Sequence, residues 1–278
     1  MANDQDKLQA LRQEIDIIDD SIHDLIMERT RVVERIRNAK RGDNIKIRPA
    51  REAKILYRLM ERHAGAFPKR ELGQIWRELI VATLRFEGPF SVAVSGSDDG
   101  SEYWDQARDQ VATVGILPLP RPDDEERWWP LMVSEAPDMP RIIARLPFIP
   151  ADNKKNIGPE ALVICSVRQE ESGRDHSFLG INAEEDVGFG AIDKALSQVG
   201  VSAVFNQLWH DPNPPAAWIY LVEVDDFLDS DGPGMRHLKD GLGPHIKSVV
   251  HLGGYAMPLN KADLETDTLS DSTPEQGS

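Results

Sequence analysis

The chain has 278 residues, 40% of them hydrophobic, and a formal net charge of −15 at neutral pH. That length exceeds the usual single domain, and the acidic total disfavours nucleic acid or an anionic membrane surface as a partner. With a single cysteine, Cys165, and seven scattered histidines, neither an internal disulfide nor a metal-ligand cluster is expected.

No secretory leader or bilayer-length apolar run is visible, so a cytoplasmic location is expected. The charge is divided unevenly. Residues 1–87 carry 18 Lys+Arg against 15 Asp+Glu, net +3, and the remainder carries 14 against 32, net −18. The first part alone is suited to an anionic ligand.

From about Asp6 to Arg41 no Pro or Gly occurs, which predicts one long helix. Its apolar seam is Leu8, Leu11, Ile15, Ile18, Ile22, Leu25, Val32 and Ile36, at near-heptad steps that favour side-by-side helix pairing. Arg29 interrupts that seam. An arginine there either lays its stem on apolar surface with its head in water, joins a structural ion pair, or meets an anionic ligand. Lys40 lies eleven residues further on and returns to nearly the same face. Arg12 points about a quarter-turn away and is placed to serve the patch of a second copy.

Pro49 suits a first helical turn and opens a second helix with Arg51, Glu52, Ile55, Leu56, Leu59 and Met60. Pro68 opens a third, whose stripe is Leu72, Ile75, Trp76, Leu79, Ile80, Thr83 and Glu87. A carboxyl occupies its last position.

The segments LQALRQEIDIIDDSIHDLIMERTRVVERIRNAK, IRPAREAKIL and IWRELIVATLRFE, in that order and spacing, resemble the all-helical (AroQ-type) chorismate mutase family over residues 6 to 90. The resemblance implies an intertwined homodimer of three-helix subunits binding chorismate, with Arg12 crossing between subunits and no cofactor. It places Arg29, Arg51 and Lys40 on the substrate's carboxylates and ether oxygen. Glu52 would accept from the ring hydroxyl, with main chain near Arg48 also in contact. Thr83 stands where the family often has Ser, and Glu87 where one branch has Gln and another Glu.

The rearrangement of chorismate to prephenate is intramolecular, so it needs no nucleophile or metal. It needs a held conformer and stabilised charge on the ether oxygen. Arginine forks match carboxylates, and Lys40 supplies a point charge. Glu87 donates to the ether oxygen only when protonated, so activity is expected to fall as pH rises through its titration.

After residue 90 the sequence reads as two strands, SVAVSGSDDG (91–100) and VGILPLP (114–120), followed by a segment with recurring prolines and the pair Trp128–Trp129. In fused mutase–dehydratases, which this order resembles, a prephenate dehydratase domain follows the helices. Its Thr-Arg-Phe signature is absent here, no threonine occurs between Thr113 and Thr266, and residues 91–175 are about half the length that domain needs. A shortened relic without dehydratase activity is the expectation.

Residues 176–259 alternate as βαββαβ and resemble an ACT domain, with ferredoxin-like topology and a possible amino-acid effector. The fold class expected is therefore α plus α/β in several domains. GFGAIDKAL matches the ACT first-helix signature without its proline, whereas NQLW (206–209) replaces the motif associated with phenylalanine. Residues 260–278 are polar and acidic and are expected to be disordered. Two other activities fit the same residues: an isochorismate-pyruvate lyase, and a catalytically silent regulatory protein on a mutase scaffold.

Overall fold

The computed structural model describes residues 2–39, 47–84, 91–94, 113–124, 127–136, 139–151, 160–211 and 217–266. The chain divides into two compact units, Met1–Lys46 with Leu79–Pro89, and Ile47–Glu78 with Phe90–Ser278.

The first unit is built on α1, Ala2–Ala39. Its Pro- and Gly-free sequence sustains 38 helical residues, and Asp4 in the first turn and Arg37 in the last complement the helix dipole. The seam predicted from the sequence is exposed: Leu11, Ile15 and Leu25 retain 58%, 57% and 64% of their surface. The C-terminal part of α3, Lys69–Leu84, completes this unit.

The second unit begins with α2, Pro49–Arg62. Ala53, Leu56, Tyr57 and Met60 recur at helical spacing and are buried. The rest is one eight-stranded mixed sheet of order β1-β2-β4-β3-β8-β5-β7-β6. Its strands are β1 Val92–Val94, β2 Val114–Pro118, β3 Arg141–Leu146, β4 Ala161–Cys165, β5 Asp175–Ala183, β6 Ala203–Asp211, β7 Ala217–Val224 and β8 Ile246–Ala256. Two helices interleave with the last four strands, α4 Phe189–Gln198 and α5 Pro233–Gly241. The βαββαβ order read from the sequence is present, and its strands lie as β8-β5-β7-β6.

Side-chain alternation sorts the apolar residues onto two faces. Leu179, Ile181, Tyr220, Val222 and Val249 pack with Ile192 and Leu196 of α4 and Met235 and Leu238 of α5. On the opposite face Phe178, Leu221, Val250 and Tyr255 pack with Trp128, Trp129 and Met132. Those tryptophans belong to a stretch containing the 3-10 helix Trp129–Met132. Trp129 Nε1 donates to Gln207 Oε1 at 3.0 Å, and Trp128 Nε1 to the Pro118 carbonyl at 3.1 Å. The proline-rich stretch is thus a fitted cover for the sheet.

The sheet does not break between 175 and 176, where the sequence placed a domain boundary. β3 runs parallel to β8 through the register pair Ile142↔Gly253. A Cβ on Gly253 would lie 2.1 Å from the Ile142 carbonyl oxygen, and the residue has φ +99. Only glycine meets both conditions.

The disordered segment expected from residue 260 requires correction at its start, because Lys261–Leu264 form a short helix, α6. Asn260 Oδ1 accepts from the Asp263 N–H at 3.0 Å and Asp263 Oδ2 accepts from the Asn260 N–H at 2.8 Å, a reciprocal capping box. Arg174 then grips Asp263 with both terminal nitrogens, at 2.8 and 2.9 Å, holding that carboxyl below its usual pKa range. Residues 267–278 lie outside the described residues.

Gly253→Ala combines left-handed backbone strain with a clash against neighbouring main chain, and should destabilise the sheet unit by about 2–5 kcal/mol. Urea denaturation of the variant beside the parent checks this.

Candidate functional site in the helical segment

The residues singled out from the sequence fall into three groups. Lys40 and Glu87 lie outside the described residues. Arg12, Arg29 and Thr83 belong to the first unit, and Arg48, Arg51 and Glu52 to the second.

In the first unit, α1 presents Arg29 toward α3. Arg29 Nη1 donates to Thr83 Oγ1 at 3.4 Å and to the Leu79 carbonyl at 3.5 Å, both long for such bonds. Thr83 is buried at 9% exposure, and its hydroxyl is oriented by the carbonyls of Leu79 and Ile80, at 3.0 and 2.8 Å. Arg29 is half-buried and makes no ion pair among the described residues. Its charge is therefore held against a neutral hydroxyl and a carbonyl, with donors to spare. Arg12 is exposed on α1.

In the second unit the N-terminal turn of α2 carries the remaining groups. Pro49 at the first helical position fixes the entry, and the Arg48 carbonyl accepts from the N–H groups of Arg51 and Glu52 at 3.0 and 3.2 Å. Arg51 is exposed, and Glu52 is half-buried.

Arg77 on α3 joins the residues expected from the sequence. Its Nε donates to Glu52 Oε1 at 3.2 Å, with side chains 34% and 25% exposed. Arg77 follows Trp76 and sits off the apolar stripe, where helical periodicity gives no signal for a partner. The helical spacing of α2 and α3 does not reveal a pair 25 residues apart.

No cluster of three or more potential metal-ligating side chains occurs among the described residues. No helix among them is long and apolar enough to cross a membrane.

Residues 11–88 match the family model "Chorismate mutase type II". The helical segment is a chorismate mutase type II domain. A bifunctional chorismate mutase/prephenate dehydratase of Stutzerimonas stutzeri is 33% identical over 102 residues, which cover 34% of this chain and 28% of that protein. The protein of the same description from Aquifex aeolicus is 38% identical over 96 residues, covering 33% of this chain and 26% of its own length. The chain thus spans about a quarter of the length of these relatives. Among solved structures, a prephenate dehydratase of Arthrobacter aurescens in complex with L-Phe aligns with TM-score 0.43 at 11% identity, over 62% of this chain and 83% of that chain. That similarity is too low to assign any residue of the sheet unit.

Within the chorismate mutase type II domain, Arg77→Met should lower stability by less than about 1 kcal/mol, because a partly exposed ion pair contributes little. Urea denaturation checks this. A small effect there means that any functional loss in the variant reads on the orientation of Glu52.

Proposed function

We propose that the protein converts chorismate to prephenate by intramolecular rearrangement. The observation that carries this reading is Arg29, a half-buried guanidinium in a chorismate mutase type II domain with no carboxylate partner among the described residues. A cation so placed is satisfied by an anionic ligand, and chorismate brings two carboxylates.

Arg29 binds one carboxylate, and Arg51 and Lys40 extend the cationic set to the other carboxylate and the ether oxygen. Glu52 accepts from the ring hydroxyl, next to main chain at Arg48, and Arg77 holds that carboxylate in place. Thr83 lends its hydroxyl at the Arg29 end. Glu87, protonated, donates to the ether oxygen as charge develops there. Lys40, Arg29 and Glu87 thus carry the catalytic role, through electrostatic preorganisation and a held conformer.

The exposed seam of α1 supports a homodimer. Eight large apolar side chains there, from Leu8 to Ile36, retain 37–64% of their surface, far more than a soluble helix leaves uncovered. Pairing two copies of α1 buries them and brings Arg12 of one copy to the other's patch. The βαββαβ part of the sheet supports an ACT-like reading, with an amino acid as effector. The missing Thr-Arg-Phe signature supports a protein without the dehydratase step. The same reading assigns the protein a role in phenylalanine and tyrosine formation, in the cytoplasm.

The test is chorismate consumption by the full-length protein with products separated by chromatography. Prephenate should form without phenylpyruvate. Arg29→Ala should lose at least about 100-fold in kcat/KM, as for removal of a preorganised charge contact. Activity should fall as pH rises through the Glu87 titration, because only the protonated carboxyl donates, and Glu87→Gln should flatten that fall. Pyruvate as product would assign the lyase reaction instead, and absence of turnover would leave a silent scaffold.

A further inference from the structure

At the first turn of α2, Arg48 meets a side chain from the strand part of the same unit. Glu170 lies on the stretch between β4 and β5, 122 residues from Arg48 in sequence. Arg48 Nε donates to both Glu170 oxygens, at 3.0 and 3.1 Å, and Nη2 lies 2.8 Å from Oε1. A forked arginine–carboxylate pair fixes direction as well as distance.

Arg48 is the N-cap residue of α2, with φ −133 and ψ 73, and its side chain makes no cap hydrogen bond. Its side chain is thus committed outward to Glu170, while its carbonyl closes the turn that carries Arg51 and Glu52. Whatever holds Arg48 holds the start of that turn.

The support behind Glu170 is itself pinned on both sides. Gln169 Nε2 donates to the His176 carbonyl at 3.2 Å. Asp175 accepts from the N–H groups of Ser172 and Gly173 at 2.7 and 2.9 Å, and from the Ser172 hydroxyl at 2.8 Å. Gly254 leaves the space that Gln169 occupies, since a Cβ there would sit 2.5 Å from Gln169 Oε1. Glu170 therefore projects from a stiff turn at the head of β5.

With the Arg48 and Glu170 side chains 50% and 44% exposed, the pair adds little to global stability. Its geometry serves orientation. We propose that Glu170 is a positioning residue for the mutase site, setting the first turn of α2 and through it Arg51 and Glu52. This rests on the mutase reading above. It also makes the head of β5 the place where a change in the sheet unit is felt by the substrate-binding turn.

The test is steady-state kinetics on the full-length protein with chorismate, comparing the parent with Glu170→Ala, Glu170→Asp, Arg48→Ala, the double alanine variant and Glu171→Ala. Glu170→Ala should raise KM about three- to fivefold with kcat within about twofold, the pattern of lost ground-state binding from a half-exposed pair. Glu170→Asp should recover part of that loss. Glu171→Ala should match the parent, because its neighbouring exposed side chain makes no comparable fork. The double variant should be no worse than the worse single one, since both changes break one pair. Thermal midpoints should stay within about 2 °C of the parent, as for any exposed pair.

An unchanged KM in Glu170→Ala overturns the proposal while leaving the mutase reading intact. So do effects that simply add in the double variant, or a KM rise shared by Glu171→Ala. Absence of chorismate turnover in the parent overturns both.

Discussion

The packing of α2 against the sheet is the contact on which the second unit depends. Ala53, Tyr57, Leu59 and Met60 of α2 form one cluster with Ile149, Ala256 and Leu259. At its centre the Tyr57 hydroxyl donates to the Met257 carbonyl, and Arg174 lies 4.6 Å over the Tyr57 ring. Burial pushes the Tyr57 phenol up, so at neutral pH it remains a donor. The first turn of the same helix carries Arg51, which is exposed, and Glu52, which is half-buried. One fourteen-residue helix therefore serves a hydrophobic core and carries polar groups at its start.

This double duty links parts of the chain that are distant in sequence. Arg174 holds Asp263 with one side chain while covering Tyr57, so α6 and α2 are braced by the same residue. Gly73 of α3 approaches Ile149 so closely that a Cβ would lie 2.9 Å from its terminal methyl. The stretch around Ile149 precedes β4, and β4 pairs with both β2 and β3. Residues 91–175 are thus not an idle connector. They supply four strands, β1 to β4, and the tryptophan cover of one sheet face.

The helices were legible because their signals are local: a long stretch without Pro or Gly for α1, Pro49 at the start of α2, and apolar spacing throughout. The βαββαβ order was legible for the same reason, from alternation and Gly-rich turns. β3 was not, since RIIARL follows a run of prolines and has an arginine at each side of its apolar centre. Its burial comes from β4 and β8, which no window of sequence contains. Asn260 and Asp263 show the opposite case, a local capping pattern hidden in a composition that suggests disorder. Among the candidate site residues, Arg29 stood out because charge in an apolar seam is costly. Arg77 and Glu170 did not, because each acts on a partner from another element.

The packing of α2 on the sheet implies that the helix belongs to the sheet unit energetically as well as geometrically. Native-state hydrogen exchange of the full-length protein tests it most directly, by comparing the opening free energies of α2 amides such as Leu56, Leu59 and Met60 with those of β8 and α1. The α2 amides should open with β8. Exchange of α2 together with α1, at a free energy distinct from β8, would contradict it.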